Sequence, residues 1–179
     1  LLNCSRPCTG SASILLASEE IVKKYTNSPI WITGIGQKTT SAGFTKNTSL
    51  SSMESTKLAG KSALEMANHN ISEIDVAEVH DAFSVCEPMI LESLGFTKPG
   101  EGMDMIKKLN ETNNFMINPR GGLIGSGHPL GATGISQTIE IAQQLQNTAE
   151  NRQTDNPKTG LVHNMSAAAT SSTVLVLEK

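Results

Sequence analysis

A glycine-rich stretch in the second half of the chain constrains the fold more than any other feature. Glycines stand at positions 121, 122, 125, 127 and 131, directly after a polar connection and directly before an apolar-patterned segment. Glycine at this density destabilises the interior of a helix or strand, so we predict a system of turns here. Pro129 fits the first turn of the helix that follows, because its missing N–H needs no helical partner there.

The patterns on either side of these turns predict an α/β protein with the rough order β–α–β–α–β–β. Short apolar or alternating runs predict strands at 13–17, 30–35, 74–79, 160–162 and 173–177. Apolar residues at helical spacing predict helices at 19–25 and 53–67, a helix that ends at Leu94, and a helix that begins near Pro129.

Single residues refine some of these elements. Gly95 is expected to end the third helix. The start of that helix stays open, because Ser84 and Glu87 form a capping-box pattern while Pro88 would kink a helix that began earlier. Residues 98–118 are interpreted as a polar connection with one helical turn at 103–109, and residues 37–52 as a surface loop. Four side chains of the last long helix are expected to face the core: Ile135, Ile139, Ala142 and Leu145.

Composition, charge and cysteine spacing limit which classes of function and partner are expected. The 179 residues suffice for one domain or at most one and a half, with a core of aliphatic side chains, alanine and methionine. The net charge of −3 gives no reason to expect nucleic acid or acidic lipid as a partner. No apolar run reaches the roughly 20 residues of a membrane span. The three cysteines lack metal-site spacing and the N-terminus is no secretory signal, so we expect a cytoplasmic protein with reduced thiols.

Three of the four histidines are candidates for chemistry. His80 and His163 each end a predicted strand, at the carboxyl edge where α/β proteins bind ligands. His128 lies among the glycine turns, at the start of a helix whose field disfavours an imidazolium. The patterns alone leave a structural and a catalytic role equally open for these three, whereas His69 is expected to be solvated. Neither a phosphate-binding glycine motif nor a serine nucleophile elbow is present.

Four motifs, taken together, resemble a known family. They are Val79-His80-Asp81-Ala82-Phe83, Asn118-Pro119-Arg120-Gly121-Gly122, Gly127-His128-Pro129 continuing to Gly134, and His163-Asn164. Their order and spacing resemble the C-terminal half of thiolases, most closely the sterol-carrier-protein and archaeal types. The segment from Cys4 to the Ser18-Glu19-Glu20 run also resembles the start of that half, so the resemblance covers essentially the whole chain.

The resemblance implies that residues 1–179 form a thiolase C-terminal domain, a βαβαβαββ unit of the five-layered αβαβα architecture. It implies an acyltransferase that forms or cleaves a carbon–carbon bond between acyl groups carried by coenzyme A, with no cofactor or metal besides that substrate thioester. By resemblance, His128 deprotonates a nucleophilic cysteine, and His80 with an ordered water polarises the thioester carbonyl where an enolate forms. Ser5, Asn164 and Gly127 are expected to contact the substrate.

The chain also departs from the family pattern. The nucleophilic cysteine of thiolases belongs to their N-terminal half, so this chain alone is expected to be inactive. Asn164 and Ala82 stand at the two places where the family carries an acid/base cysteine. Ser166 replaces a glycine whose N–H completes an oxyanion hole, and its β-carbon could change the backbone there. Cys86 is a candidate for the missing thiol, with a buried structural cysteine as the alternative.

These departures leave two alternatives to an acyltransferase. One is a retro-aldolase acting on a β-hydroxyacyl-coenzyme A, which needs no acyl-enzyme. The other is a non-catalytic subunit that binds acyl-coenzyme A or scaffolds a complex. The expected partners are an N-terminal thiolase half, further copies of the chain, and a small zinc-ribbon and OB-fold protein that would contact the loop 37–52. Neither nucleic acid nor a membrane is expected as a partner.

Overall fold

The computed structural model describes residues 2–42, 50–112 and 116–179 of the chain. These ranges form an α/β structure, as predicted. The helices are α1 (Glu19–Val22), α2 (Glu54–Ala67), α3 (Cys86–Leu94), α4 (Gly102–Glu111), α5 (Gly122–Ser126) and α6 (Thr133–Gln146). The strands are β1 (Trp31–Thr39), β2 (Val76–Glu78), β3 (Thr159–Met165) and β4 (Ser171–Glu178). Short 3-10 turns span Ile71–Glu73, Glu150–Arg152 and Ala167–Ala169.

The four strands form one mixed sheet in the order β1-β4-β3-β2. β4 pairs with both β1 and β3 in antiparallel fashion, and β3 pairs with β2 in parallel. A parallel pair needs a long crossover, and the segment that contains α3 to α6 supplies it. The parallel pairing also brings the carboxyl ends of β2 and β3 to the same edge of the sheet. Two of the candidate histidines lie there, His80 after β2 and His163 in β3.

The two faces of the sheet are covered by different helices. Side chains alternate along each strand, so Ala77, Leu161 and Val176 pack toward α2 and α3, while their neighbours pack toward α6. The α2 face is packed so closely that a β-carbon at Gly36 would overlap the carbonyl oxygen of Ala59. The α6 face has a small aliphatic cluster: Val76, Ile141, Leu145, Val162 and Leu177.

Most predicted boundaries are close to the observed ones. α3 ends at Leu94 and is capped by Gly95 with a left-handed φ of 91°, as expected. α2 ends at Ala67 and is capped in the same way by Asn68, with a φ of 57°. α3 begins at Cys86, so Pro88 lies in the first turn, where its missing N–H breaks no helical bond. The capping box from Ser84 does not form, since the residue before the helix is Val85. α4 is longer than the single turn predicted at 103–109.

The predicted strand at 13–17 is wrong. Residues 11–18 form no strand, and Ile14, Leu15 and Leu16 are exposed. A strand requires the backbone of a neighbouring strand, and in the described residues each edge of the sheet lies elsewhere: β1 forms one and β2 the other. The apolar run therefore predicted both the strand and its burial wrongly, because no partner backbone is available here to cover it.

The predicted inward face of α6 is also mostly wrong. Leu145 is buried as expected, but Ile135, Ile139 and Ala142 are half-buried. Ile141 and the polar residues Gln137, Glu140 and Gln144 lie inward instead. They are tolerated because nearby groups bond them: Asn164 donates to Gln137, and Arg152 contacts Glu140.

Three remaining expectations concern exposure and loops. His69 is not fully solvated, since its Nε2 lies 2.8 Å from a carboxylate oxygen of Glu178 and its side chain is largely covered. The predicted loop 37–52 begins within β1, and its residues 43–49 lie outside the described ranges, as do residues 113–115 of the predicted connection 98–118. No helix among the described residues is long and apolar enough to cross a bilayer.

Candidate active site

His80 and His128, 48 positions apart in sequence, are in direct contact. Their ring centroids lie 4.9 Å apart and the ring planes cross at 86°, an edge-to-face arrangement. His80 follows the carboxyl end of β2 and is 6% exposed. His128 lies between α5 and α6 and is half-buried. Two imidazoles in one place supply ring nitrogens that can accept or donate hydrogen bonds to the same bound group.

Asp81 explains why these two segments meet. Its carboxylate accepts hydrogen bonds from the backbone N–H of Leu123 at 2.6 Å and of Ile124 at 3.4 Å. It thereby joins the residue after His80 to the first turn of α5, in the glycine-rich stretch before His128. A side chain at Gly122 would overlap this carboxylate, and Gly122 also has a φ of 61°. The glycine here is required by both space and backbone conformation.

Thr133 orients the imidazole of His128. The Thr133 hydroxyl donates to the carbonyl oxygen of Pro129 at 3.3 Å, so its only proton is used. The hydroxyl oxygen lies 2.7 Å from Nδ1 of His128, and with its proton directed at Pro129 it accepts a hydrogen bond from Nδ1–H. This arrangement assigns the proton of the neutral ring to Nδ1 and leaves a lone pair on Nε2, which is the state a general base requires.

Both imidazoles are held in the neutral form. Burial, followed by the nearby His128, lowers the pKa of His80 to about 4. Burial also lowers the pKa of His128, against the opposing effect of Asp81. We expected the start of a helix to disfavour the imidazolium, but α6 begins at Thr133, five positions after His128. Burial is therefore the principal cause.

A cavity of about 870 Å³ opens beside the two imidazoles. Ser5 and Asn164 line it together with His80 and His128, so the fold brings four of the five predicted site residues to one place. Gly127 is not among the lining residues. Its φ of 86° sets the direction of the chain into His128, and a β-carbon there would lie 2.8 Å from the sulfur of Cys8.

The N-terminal segment forms one wall of this cavity although it contains no strand. The N–H of Ser5 donates to the carbonyl of Ala82 at 2.8 Å, and the N–H of His128 donates to the carbonyl of Arg6 at 2.9 Å. These bonds connect the segment to both histidine motifs. The side chain of Asn164 is held from the other side, because its amide donates to Gln137 at 2.9 Å.

Two thiols also line the cavity. Cys4 is exposed and Cys86 is buried, and neither forms a disulfide. Burial raises the pKa of the Cys86 thiol, which favours the neutral form and makes it a weaker nucleophile at neutral pH. Ser166 has an extended backbone, so its β-carbon causes no strain. Its N–H already donates to the carbonyl of Ser171 at 2.9 Å.

Sequence reasoning missed three residues that organise the site: Asp81, Thr133 and Asn118. Asn118 accepts from the N–H of Val79 at 2.8 Å and donates to Glu87 at 3.0 Å. The sequence contained one indication of their importance, because each of the three lies within or beside a motif that contains a candidate residue. In the described part of the chain, no group of three or more acidic, histidine or cysteine side chains could hold a metal ion.

Residues 36–179 match the family described as "Thiolase C-terminal domain-like". The chain belongs to the thiolase family. The predicted resemblance is thereby confirmed. The four-stranded mixed sheet with helices on both faces is consistent with the C-terminal half of the thiolase fold.

Curated relatives from this family extend the comparison. The chain is 31% identical over its full length to an acetyl-CoA acetyltransferase of Methanothermobacter thermautotrophicus, of which it covers 47%. It is 36% identical over 84% of its length to an acetyl-CoA acetyltransferase of Methanocaldococcus jannaschii, covering 40% of that protein. It is 34% identical over 92% of its length to human sterol carrier protein 2, covering 31%. The chain thus spans about half or less of these thiolase relatives.

Proposed function

We propose that the protein containing this chain is a thiolase-type acyltransferase, which forms or cleaves a carbon–carbon bond between acyl groups carried by coenzyme A. The observation that carries the proposal is the pair of neutral, touching imidazoles of His80 and His128 in one cavity. The names of the acetyl-CoA acetyltransferase relatives support the same reaction class. Coenzyme A thioester enters as substrate, and we propose no further cofactor.

In this proposal the two histidines act at different steps. His128, with its Nε2 lone pair free, removes the proton from a cysteine thiol of an N-terminal thiolase half, and the thiolate then accepts the acyl group as a thioester. His80, buried and neutral, donates a hydrogen bond to the thioester oxygen as an enolate develops. Ser5 and Asn164 would contact the substrate, and Gly127 would act through the placement of His128.

The exposed apolar side chains support a second thiolase half as partner. Leu15, Leu16 and Leu130 are each at least 70% exposed, and Phe83 and Val85 are more than half exposed. Phe83 and Leu130 line the cavity, and large apolar side chains exposed in such numbers are typical of a surface that is covered in the complete protein. We propose that they pack against the N-terminal half, which would also complete the cavity.

A retro-aldolase is the second candidate, and one observation favours it. Ala82 and Asn164 occupy the places where thiolases carry an acid/base cysteine, and the N–H of Ser166 is used by Ser171 rather than free for an oxyanion. A retro-aldol cleavage of a β-hydroxyacyl-coenzyme A needs the enolate-stabilising histidine but no acyl-enzyme. A non-catalytic acyl-coenzyme A-binding subunit would show neither activity.

Single-turnover acylation of the complete protein tests the proposal. We expect His128→Ala to prevent acyl transfer to the cysteine, because loss of a positioned base costs roughly 10²–10⁴-fold. His80→Ala should acylate but fail in the carbon–carbon step. His69→Ala, a histidine change outside the cavity, is the matched control and should retain turnover. Acylation of both site variants at the parental rate would contradict the assignment of His128.

The same assay separates the alternatives. Cleavage of a β-hydroxyacyl-coenzyme A without a detectable acyl-enzyme would establish the retro-aldolase instead. The 179-residue chain by itself should not thiolyse acetoacetyl-coenzyme A, and turnover by it would overturn the two-half scheme. A homo-oligomer, a zinc-ribbon and OB-fold partner, and a cytoplasmic location remain further parts of this proposal, to be examined on the complete protein.

A further inference from the structure

A row of buried hydroxyl groups runs from His163 to the wall of the cavity. We call its members the hydroxyl relay: His163, Thr56, Ser172 and Ser55. Nε2 of His163 lies 3.0 Å from the Thr56 hydroxyl, which lies 3.0 Å from that of Ser172. The Ser172 and Ser55 hydroxyls are 2.8 Å apart, and Ser55 donates to the carbonyl of Ala169 at 2.6 Å. All four side chains are at most 1% exposed.

The last bond of the relay fixes the direction of all the others. The carbonyl of Ala169 can only accept, so the single proton of Ser55 is used there. Ser172 must then donate to Ser55, and Thr56 to Ser172, if all four bonds are to form. Thr56 is left as an acceptor, which assigns the proton of neutral His163 to Nε2. Burial, and then the nearby His80, lowers the pKa of His163 to about 3, so the ring stays neutral.

The relay ends on a strained piece of backbone. Ala168 and Ala169 have φ values of 56° and 51°, in the left-handed region that non-glycine residues rarely adopt. Both residues line the cavity, as does their neighbour Ala167. Such backbone persists only where the surroundings hold it, and it concentrates at functional sites. The relay supplies a buried bond that holds this turn.

We propose that the hydroxyl relay is a positioning device that holds the Ala167–Ala169 turn against the acyl group in the cavity. That the hydroxyl relay holds the turn is inferred from the hydrogen bonds and backbone angles, whereas its effect on turnover rests on the proposed function. The relay begins at His163, near the carboxyl end of β3 and next to Asn164, so it connects the turn to that end of the strand. The four side chains do not contact substrate, so they are positioning residues.

Thr56 offers a matched pair of variants for the test. In the complete protein, Thr56→Val keeps the shape but removes the hydroxyl, while Thr56→Ser keeps the hydroxyl. We expect Thr56→Val to raise hydrogen exchange in a peptide covering 165–172 by about 10-fold, because it removes the bonds of Thr56 to His163 and Ser172 that hold Ser55 in place against Ala169. It should also lower kcat by about 10-fold or more with KM within about twofold. Thr56→Ser should restore both values.

The exchange measurement needs no substrate, so it separates this inference from the proposed function. If the parent protein has no thiolase activity, the proposed function is wrong, but the hydrogen-exchange measurement still shows whether the hydroxyl relay holds the turn. Unchanged exchange in Thr56→Val, or faster exchange with unchanged kcat, would overturn the positioning role. Should Thr56→Val not fold, Ser55→Ala removes the bond to Ala169 and replaces it in both assays.

The ¹⁵N chemical shifts of the His163 ring give an independent signature. We expect the Nε2–H tautomer in the parent and in Thr56→Ser. A proton on Nδ1 in the parent would contradict the direction of the relay and with it the inference.

Discussion

The two faces of the sheet bury different kinds of side chain, although the same strands form both. On the α2 face, small residues allow helix and strand backbones to approach closely, as at Gly34 and Gly36 under α2. On the α6 face, ionisable and amide side chains are buried beneath the helix, including Glu78, Glu140 and Gln137. Tight backbone contact is the main feature of the first face, which also contains the hydroxyl relay, and buried carboxyl and amide groups are the main feature of the second.

The difference shows two ways of covering one sheet. A closely packed face depends on the volume of each residue, because protein interiors have few voids. A polar face depends on whether each buried group has a partner. We therefore expect the α2 face to be the more sensitive to added atoms and the α6 face to be the more sensitive to changes of charge.

The largest expected effect is on the α2 face. Gly36→Ala should destabilise the complete protein by about 3 kcal/mol or more, because its β-carbon would overlap the carbonyl oxygen of Ala59 and the backbone would have to separate. Gly125→Ala is the control, since a β-carbon there meets nothing within 4 Å. Chemical denaturation checks both. A loss in Gly36→Ala no greater than in Gly125→Ala would show that the face is not closely packed.

The next effect concerns pH and the α6 face. Burial raises the pKa of Glu78 to about 8, and Arg120, whose guanidinium lies 3.7 Å from the carboxylate, offsets this only in part. The folded state then retains a proton that the unfolded state, with a pKa near 4.5, has lost. Between these two values stability should fall as pH rises, by up to about 1.4 kcal/mol per pH unit.

Glu78→Gln removes this dependence, so its stability curve should be flatter up to pH 8 and lie above the parental curve there. Glu65→Gln, an exposed change on α2, should leave the curve unchanged. Denaturation between pH 5 and 8 gives the comparison. Identical curves for Glu78→Gln and the parent would contradict a buried, protonated Glu78.

His163, on the α2 face, gives a pH effect of the opposite sign. Its lowered pKa predicts loss of stability as pH falls below 6.5 toward 3.

The smallest effect tests the partner of Glu140. Arg152 contacts this buried carboxylate at 3.2 Å, but the Arg152 side chain is itself 39% exposed. Arg152→Met should cost about 1–2 kcal/mol, less than for a fully buried pair, because water can partly replace the arginine. Lys107→Met, which removes a surface ion pair, should cost less than about 0.5 kcal/mol. Equal costs in thermal denaturation would mean that Glu140 does not depend on Arg152.

The candidate site was more predictable than the elements around it. His80 and His128 were singled out because short motifs surround them, and motifs record local chemistry. The contact between them depends on Asp81, whose bonds to Leu123 and Ile124 span more than forty positions. No local pattern predicts such a bond. The hydroxyl relay was missed for the same reason, since its four members come from α2, β3 and β4.

The sequence by itself determined the α/β class, the start of α1, the ends of α2 and α3, the presence of the four strands, and the family. The class, the helix limits and the strands follow from local rules, since periodicity, caps and glycine turns act over a few residues, whereas the family follows from the resemblance of four motifs. Only the tertiary structure decided that residues 13–17 form no strand, which face of α6 is buried, and which protonation states the histidines adopt. Each of these depends on what a distant segment places opposite, and both burial and hydrogen bonding are properties of such pairs of segments.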